Sequence, residues 1–202
     1  MTVTIAMAGP GDAAALAVLG EQSYRSHFGA LWTPAGLDAY VAVEYGGDRI
    51  LREIAGESTG YLLARVDGEL AGFAKVTVDR EVPLSDRSGL ELEKVYLLPE
   101  FTGAGHGSAL IGAVLDFADE HGQALVWLDV LKENEGGRRV YERHGFTVAG
   151  ELPFATDVRE IGFWVMTRPA SGPTAGSAGA ATGRRYGGTA RSPATRQSIP
   201  WA

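Results

Sequence analysis

Apolar residues run from Val3 to Ala8, broken only by Thr4, and this pattern predicts a first strand. Gly9-Pro10-Gly11-Asp12 follows as a helix-start signal, with Asp12 the expected cap of a helix that reaches about Tyr24. Pro34, whose missing N–H costs nothing in a first turn, opens a second helical stretch, TPAGLDAYVAVEY. Asp48 opens a third, DRILREIAG, which stops at Gly56. In GYLLARVDGELAGFAKVTVD two β-like runs flank Asp67-Gly68, the residue pair that a type I′ hairpin turn favours because both central positions need positive φ. GLELEKVYLL is another strand, closed by Pro99. In GSALIGAVLDFADEHG, Leu110, Ile111, Val114, Leu115 and Ala118 fall on one helical face, and Gly122 ends the helix. ALVWLDVL reads as a strand. NEGGRRVYERHG reads as a short helix from Asn134 to Gly145, and FTVAGEL and EIGFWVMTR as final strands.

This order predicts an α+β domain, a mixed sheet of about seven strands flanked by helices. The strand–helix–strand stretch from Leu90 to Val130 demands a parallel pair with a right-handed crossover, whereas the hairpins must be antiparallel. Ligands are expected where the parallel strands end.

Composition changes the picture only at the C-terminus. Residues 170–202 are rich in Ala, Gly, Ser, Thr and Pro and lack apolar periodicity, so they cannot bury enough surface to offset their ordering entropy. The folded domain is therefore expected over residues 1–169, with a disordered tail beyond it. The formal charge of the whole chain is −7, yet the tail carries Arg184, Arg185, Arg191 and Arg196 and no acid, leaving about −11 on the domain. An acidic domain is a poor nucleic-acid binder and attracts cationic small molecules, although acidity also serves solubility. With no cysteine there is no disulfide, thiol nucleophile or Cys-based metal site, and His27, His106, His121 and His144 lack metal-ligand spacing. No apolar run approaches membrane-spanning length, and the first twenty residues lack the early Lys or Arg of a secretory leader, so a cytoplasmic protein is expected.

Candidate chemistry concentrates in LPEFTGAGHGSAL, where Gly103, Gly105 and Gly107 stand between a strand and a helix. The unpartnered N–H groups and dipole of a helix N-terminus suit an anion, and missing side chains let a bulky pyrophosphate approach the backbone. A tight turn alone would explain the same residues. Neither the dinucleotide G-x-G-x-x-G pattern nor the Walker pattern fits: Leu110 takes the place of the last glycine, and no Lys-Ser/Thr pair follows.

The stretch VYLLPEFTGAGHGSALI, followed by a strand and KENEGGRRVYERHGF, resembles the GNAT superfamily of acetyl-CoA-dependent N-acetyltransferases. Thr102, Gly105 and Gly107 occupy the marked places of its cofactor motif, Thr102 standing where Arg or Gln is usual. Asn134, Gly137, Tyr141 and Gly145-Phe146 match its second motif. SHFG, DGELAGFAKV and the VWL…YERHGF wording are similar to the bacterial spermidine/spermine acetyltransferase branch, with Asp129 and Leu131 replacing the Gly and Trp more usual there. The resemblance implies a mostly antiparallel sheet with one splayed parallel pair. It implies acetyl-CoA as acetyl donor, with coenzyme A as product, and a primary amine, such as a polyamine or another small cationic amine, as acceptor. It is also compatible with a homodimer, since sheet edges of such domains often pair.

Acetyl transfer to an amine requires a neutral nucleophile, a donor to the carbonyl oxygen and a proton for the leaving thiolate. An amine with a pKa near 10 is only about 0.1% neutral at pH 7. By resemblance, Tyr141 is the candidate acid facing the sulfur, the main chain of Val95, Tyr96 and Leu97 holds the acetyl and pantetheine groups, and Gly103, Ala104, Gly105, His106, Gly107 and Ser108 cradle the diphosphate. Asn134 could bond the pantetheine arm, cap a helix, or both. Glu91 and Glu93 alternate with Leu90 and Leu92 and so share one strand face. The resemblance implies that this strand lines the cleft with Glu93 as the candidate base, and two carboxylates on a solvated face are the alternative. Glu44, Asp129 and Glu133 are further acids for a cationic acceptor. His106 is expected as an exposed loop residue within the cradle, and Trp127 and Trp164 as core. Two other functions share these residues: acetylation of a protein or peptide N-terminus, and non-catalytic acyl-CoA sensing.

Overall fold

Asp67 and Gly68 both take positive φ, 49° and 90°, and turn β2 (Thr59–Val66) tightly into β3 (Glu69–Glu81). From this hairpin the computed structural model, which describes residues 2–171, builds a seven-stranded sheet in the order β1-β2-β3-β4-β5-β7-β6. The remaining strands are β1 (Val3–Met7), β4 (Ser88–Leu97), β5 (Leu125–Leu131), β6 (Thr147–Ala155) and β7 (Glu160–Pro169). All neighbours are antiparallel except β4 and β5, which are joined through the crossover helix α4 (His106–Glu120). The expectation for residues 170–202 falls on residues beyond 171, outside the described part of the chain.

The parallel pair is short. Only Leu90–Val126 and Glu91–Trp127 are in register, while β5 stays paired with β7 from Leu125 to Leu131. β4 and β5 therefore diverge toward their C-terminal ends and leave a wedge within the sheet.

Two cores cover the two faces. On one, Leu110, Ile111, Val114 and Ala118 of α4 pack with Leu90, Leu92, Val95 and Leu97 of β4, and Tyr141 and Phe146 extend this core. Leu115 is only partly buried there. On the other face lie α1 (Ala13–Phe28), α2 (Pro34–Glu44) and α3 (Gly47–Ala55), with an aromatic core that includes Tyr24, Phe28, Tyr40, Tyr45, Phe73 and Tyr96. Burying rings of this size supplies much of the apolar area on that side.

Several local expectations need correction. Helix α1 runs one turn past Tyr24, because the buried stripe Leu16, Leu19, Gly20, Ser23, Tyr24 continues to Phe28. Asp12 precedes that helix without capping it; its carboxylate instead accepts the Gly9 N–H at 2.9 Å and ties the preceding turn. Trp127 is fully buried, as expected, but Trp164 is only partly buried, with the Lys132 ammonium 4.6 Å from its ring centroid. Among the described residues no helix is long and apolar enough to cross a membrane, and no group of three or more His, Asp or Glu side chains is arranged to hold a metal ion.

Candidate active site

The wedge is bounded on one side by the glycine turn. After β4, residues Pro99–Phe101 form a 3-10 turn whose first carbonyl is tied down locally: the Thr102 hydroxyl donates to the Pro99 carbonyl at 2.7 Å. Thr102 thus shapes the loop from a position where the motif usually carries a long side chain. Gly103 and Gly105 take φ of 79° and 86°, and a Cβ at either would meet no atom within 4 Å. Their demand is therefore one of backbone conformation beside open space. Gly105 is the N-cap of α4, and the first bond of the helix joins the Ala109 N–H to its carbonyl at 3.1 Å. The amides of His106, Gly107 and Ser108, which follow the exposed Ala104, precede that bond and belong to the positive end of the helix dipole.

His106 is not an exposed loop residue. It begins α4, is 5% exposed, and its Nδ1–H donates to the Phe101 carbonyl at 2.9 Å. The sequence marked it as part of a glycine-rich loop, but its ring folds inward and braces that loop.

The other boundary is β4. The Leu98 N–H donates to the Ala71 carbonyl at 2.9 Å, and Phe73 faces Tyr96. Backbone direction alternates along an antiparallel ladder, so Tyr96 bonds toward β3, while Val95 and Leu97 turn their N–H and C=O groups toward β5, across the wedge. Of the three residues, Val95 and Leu97 face the wedge. Tyr96 instead buries its ring against Tyr24, Phe28 and Phe73. The Leu97 carbonyl receives the His27 Nε2–H at 3.1 Å.

Helix α5 (Glu135–Arg143) lies beyond β5. The Asn134 side chain caps it, accepting the Gly137 N–H at 2.8 Å. Tyr141 is buried to 1% exposure and packs edge-on to Phe146 at 5.8 Å between ring centroids. Burial drives its phenol pKa well above the usual value, with Tyr96 and the Asp129 carboxylate adding to the shift. The phenol is therefore held protonated, as a proton donor requires.

The carboxylates of β4 are tied into ion pairs the sequence did not reveal. Glu91 receives Arg80 Nε at 2.9 Å. Glu93, with 14% of its side chain exposed, meets Lys75 Nζ at 2.9 Å and accepts the Thr77 hydroxyl. Lys75 also reaches Glu53 at 3.0 Å, and Glu53 accepts Tyr61 Oη and Arg49 Nε. Arg49 continues to Glu44 at 2.7 Å, and Glu44 pairs with buried Lys94 at 2.8 Å. Three cations and three anions thus form one neutral chain beneath β4. Burial opposes ionisation of Glu93, but Lys75, Lys94 and the Thr77 hydroxyl outweigh it and hold its pKa at about 2. Of the further acids, Glu44 belongs to this chain, and Glu133 is held by Arg159 through two bonds of 2.6 and 2.7 Å.

A strap crosses the same end of the sheet. In the β6–β7 turn, Asp157 accepts the Thr33 N–H at 3.0 Å and the Thr33 hydroxyl, at the N-cap of α2. A Cβ on Gly36 would lie 2.1 Å from this carboxylate, so only glycine admits the contact. With Arg159 holding Glu133, the turn is fastened both to α2 and to the loop between β5 and α5.

β4 and β5 splay apart beside the Gly105-capped start of α4, and Tyr141 is buried in the core that α4 covers. Residues 22–146 match the model of the acetyltransferase (GNAT) family, and the chain belongs to that family. It is 28% identical over 157 residues to an uncharacterized N-acetyltransferase of Mycobacterium tuberculosis H37Rv, covering 78% of this chain and 97% of that protein. It is 30% identical over 154 residues to another from Lactobacillus delbrueckii subsp. lactis, covering 72% and 85%. Among solved structures, the PaiA N-acetyltransferase of Thermoplasma acidophilum, in complex with coenzyme A, shares the fold with a TM-score of 0.66 at 20% identity, over 84% of this chain and 99% of that one.

Proposed function

We propose that the protein transfers an acetyl group from acetyl-CoA to the primary amine of a compact acceptor. The observation that carries this reading is the meeting, at one end of the sheet, of the Gly105-capped start of α4 with the outward-facing amides of Val95 and Leu97. The coenzyme supplies the acetyl group already activated as a thioester. Its diphosphate suits the first amides of α4, where Gly103 and Gly105 leave open space. Val95 and Leu97 offer main-chain bonds to the acyl and pantetheine amides, with Asn134 at the mouth of α5. Tyr141, kept protonated by burial, holds the proton that a leaving thiolate needs.

Glu93 suits a different task from that of a strong base. A carboxylate held at about 2 cannot by itself take a proton from an ammonium group with a pKa near 10. We assign it instead a structural role as the partner of Lys75, with the amine losing its proton to solvent.

The acceptor we propose carries a single positive charge. Glu44, Glu53 and Glu93 are neutralised by Arg49, Lys75 and Lys94, and Glu133 by Arg159, so no run of uncompensated carboxylates on these elements would favour a polyamine. The strap at Asp157 favours a small molecule over an extended peptide. A panel of monoamines, spermidine and short peptides, read by thiol release from acetyl-CoA, tests this. Monoamine turnover is expected. Turnover of peptides alone would move the reading to N-terminal acetylation, and coenzyme binding without turnover would move it to a sensor.

A further inference from the structure

Strand β4 is bulged at Glu93, and the bulge decides which backbone groups face the wedge. Lys75 faces Lys94 and Val76 faces Leu92, so Glu93 has no register partner on the β3 backbone. Before the bulge, Leu90 and Leu92 point into the core under α4; after it, Val95 and Leu97 do so, at odd spacing from Leu92. Without the extra residue, strict alternation would send Lys94 and Tyr96 into that core and turn their amides toward β5, about 3.3 Å from where Val95 and Leu97 now present theirs.

We infer that the neutral chain Lys94–Glu44–Arg49–Glu53–Lys75–Glu93 is a positioning device that selects the bulged register, and so sets the coenzyme's main-chain contacts on β4. Two consecutive charged residues, Glu93 and Lys94, reach partners on the same face of the sheet, which only a bulge permits. Each is drawn there by a different element: Glu93 by Lys75 of β3 at 2.9 Å, and Lys94 by Glu44 of α2 at 2.8 Å. Lys94 is 1% exposed, so in the regular register its ammonium would lie among Leu110, Ile111 and Val114, on the opposite face of the sheet from Glu44. The ion pairs act on register rather than on net stability, which buried pairs rarely improve over apolar replacements.

This inference rests on the proposed binding of acetyl-CoA, and the experiment separates the two. The double variant Lys94→Met/Glu44→Met removes one cation and one anion, leaves the chain neutral and replaces both groups by apolar ones. Its thermal midpoint is measured beside calorimetric titrations with acetyl-CoA and with 3′-phospho-ADP, which carries the diphosphate but no pantetheine. The expected result is a folded protein whose acetyl-CoA affinity falls at least about tenfold, the equivalent of one backbone hydrogen bond, while its nucleotide affinity stays within about twofold. Unchanged acetyl-CoA affinity would overturn the positioning role, as would an equal loss for both ligands. If the unaltered protein binds neither ligand, the proposed function fails first and takes this inference with it.

Discussion

Replacing Gly105 by alanine tests the glycine turn most directly. Gly105 sits at φ 86° as the N-cap of α4, and a Cβ there would meet nothing within 4 Å. The cost in the ligand-free protein is therefore backbone strain alone, about 1–2 kcal/mol for an L-residue in the left-handed region. In a domain of this size that lowers the thermal midpoint by roughly 2–8 °C. The effect on the coenzyme should be larger than this strain implies, because the new methyl group occupies the space beside the first amides of the helix. Losing one charge-assisted hydrogen bond to the diphosphate, about 1.5–3 kcal/mol, weakens acetyl-CoA binding by roughly 10- to 100-fold. Gly68 provides a matched control: its φ is 90°, its Cβ would also meet nothing within 4 Å, and it lies in the β2–β3 turn. Gly68→Ala should lose the same stability and no affinity. Calorimetric titration beside a thermal melt reads both quantities. Equal acetyl-CoA affinities for the two variants would refute the argument, for then Gly105 would serve the turn and nothing else.

Other substitutions separate the remaining roles. Tyr141→Phe should lower kcat about 10²- to 10³-fold while acetyl-CoA affinity stays within about twofold; full turnover would remove the tyrosine from the chemistry. Glu93, with its folded pKa depressed to about 2, contributes stability that is present above its unfolded value near 4.5 and is lost as pH falls through about 2. Urea titrations across that window should therefore show declining stability, with a shallower decline in Glu93→Gln. Gly112 lies inside α4 with open space at its Cβ, so Gly112→Ala should raise stability by about 0.5–1 kcal/mol, seen as a higher urea midpoint. Asp157→Ala releases the strap from Thr33 and should raise kcat/KM for bulky acceptors relative to small ones, with little change in the thermal midpoint because the contact is exposed.

What could be read in advance follows from how local each signal is. Asp67-Gly68 carries its own turn instruction, and the stripe from Leu110 to Ala118 carries its own face, so hairpin and crossover helix were legible without tertiary knowledge. The cap at Asn134 lies three residues from its partner and was legible for the same reason. The bulge left a fainter trace: in LELEKVYL the alternation of Leu90 and Leu92 is broken by two successive charges, Glu93 and Lys94, a pattern that a regular half-buried strand does not tolerate. The partners of those charges could not be found this way. Glu44, Arg49, Glu53 and Lys75 are brought together by the packing of α2 and α3 on the sheet, and nothing in their spacing encodes it. The strap joins residues 33 and 157, with a single glycine as its only sequence mark. His106 misled because its surroundings are glycine-rich, whereas its inward turn depends on one carbonyl five positions earlier.

The divergence of β4 from β5 also bears on solubility. Bare strand edges usually lie at the margins of a sheet, where a second polypeptide can approach sideways and begin aggregation. Here main-chain groups of Val95 and Leu97 without a partner strand sit mid-sheet, flanked by β3 and β5, where an incoming chain would have to thread rather than dock. A slender, flexible molecule can enter that slot, and a foreign strand with side chains on both faces is hindered. The protein can thus keep an adhesive surface permanently exposed to small ligands while shielding it from its own kind.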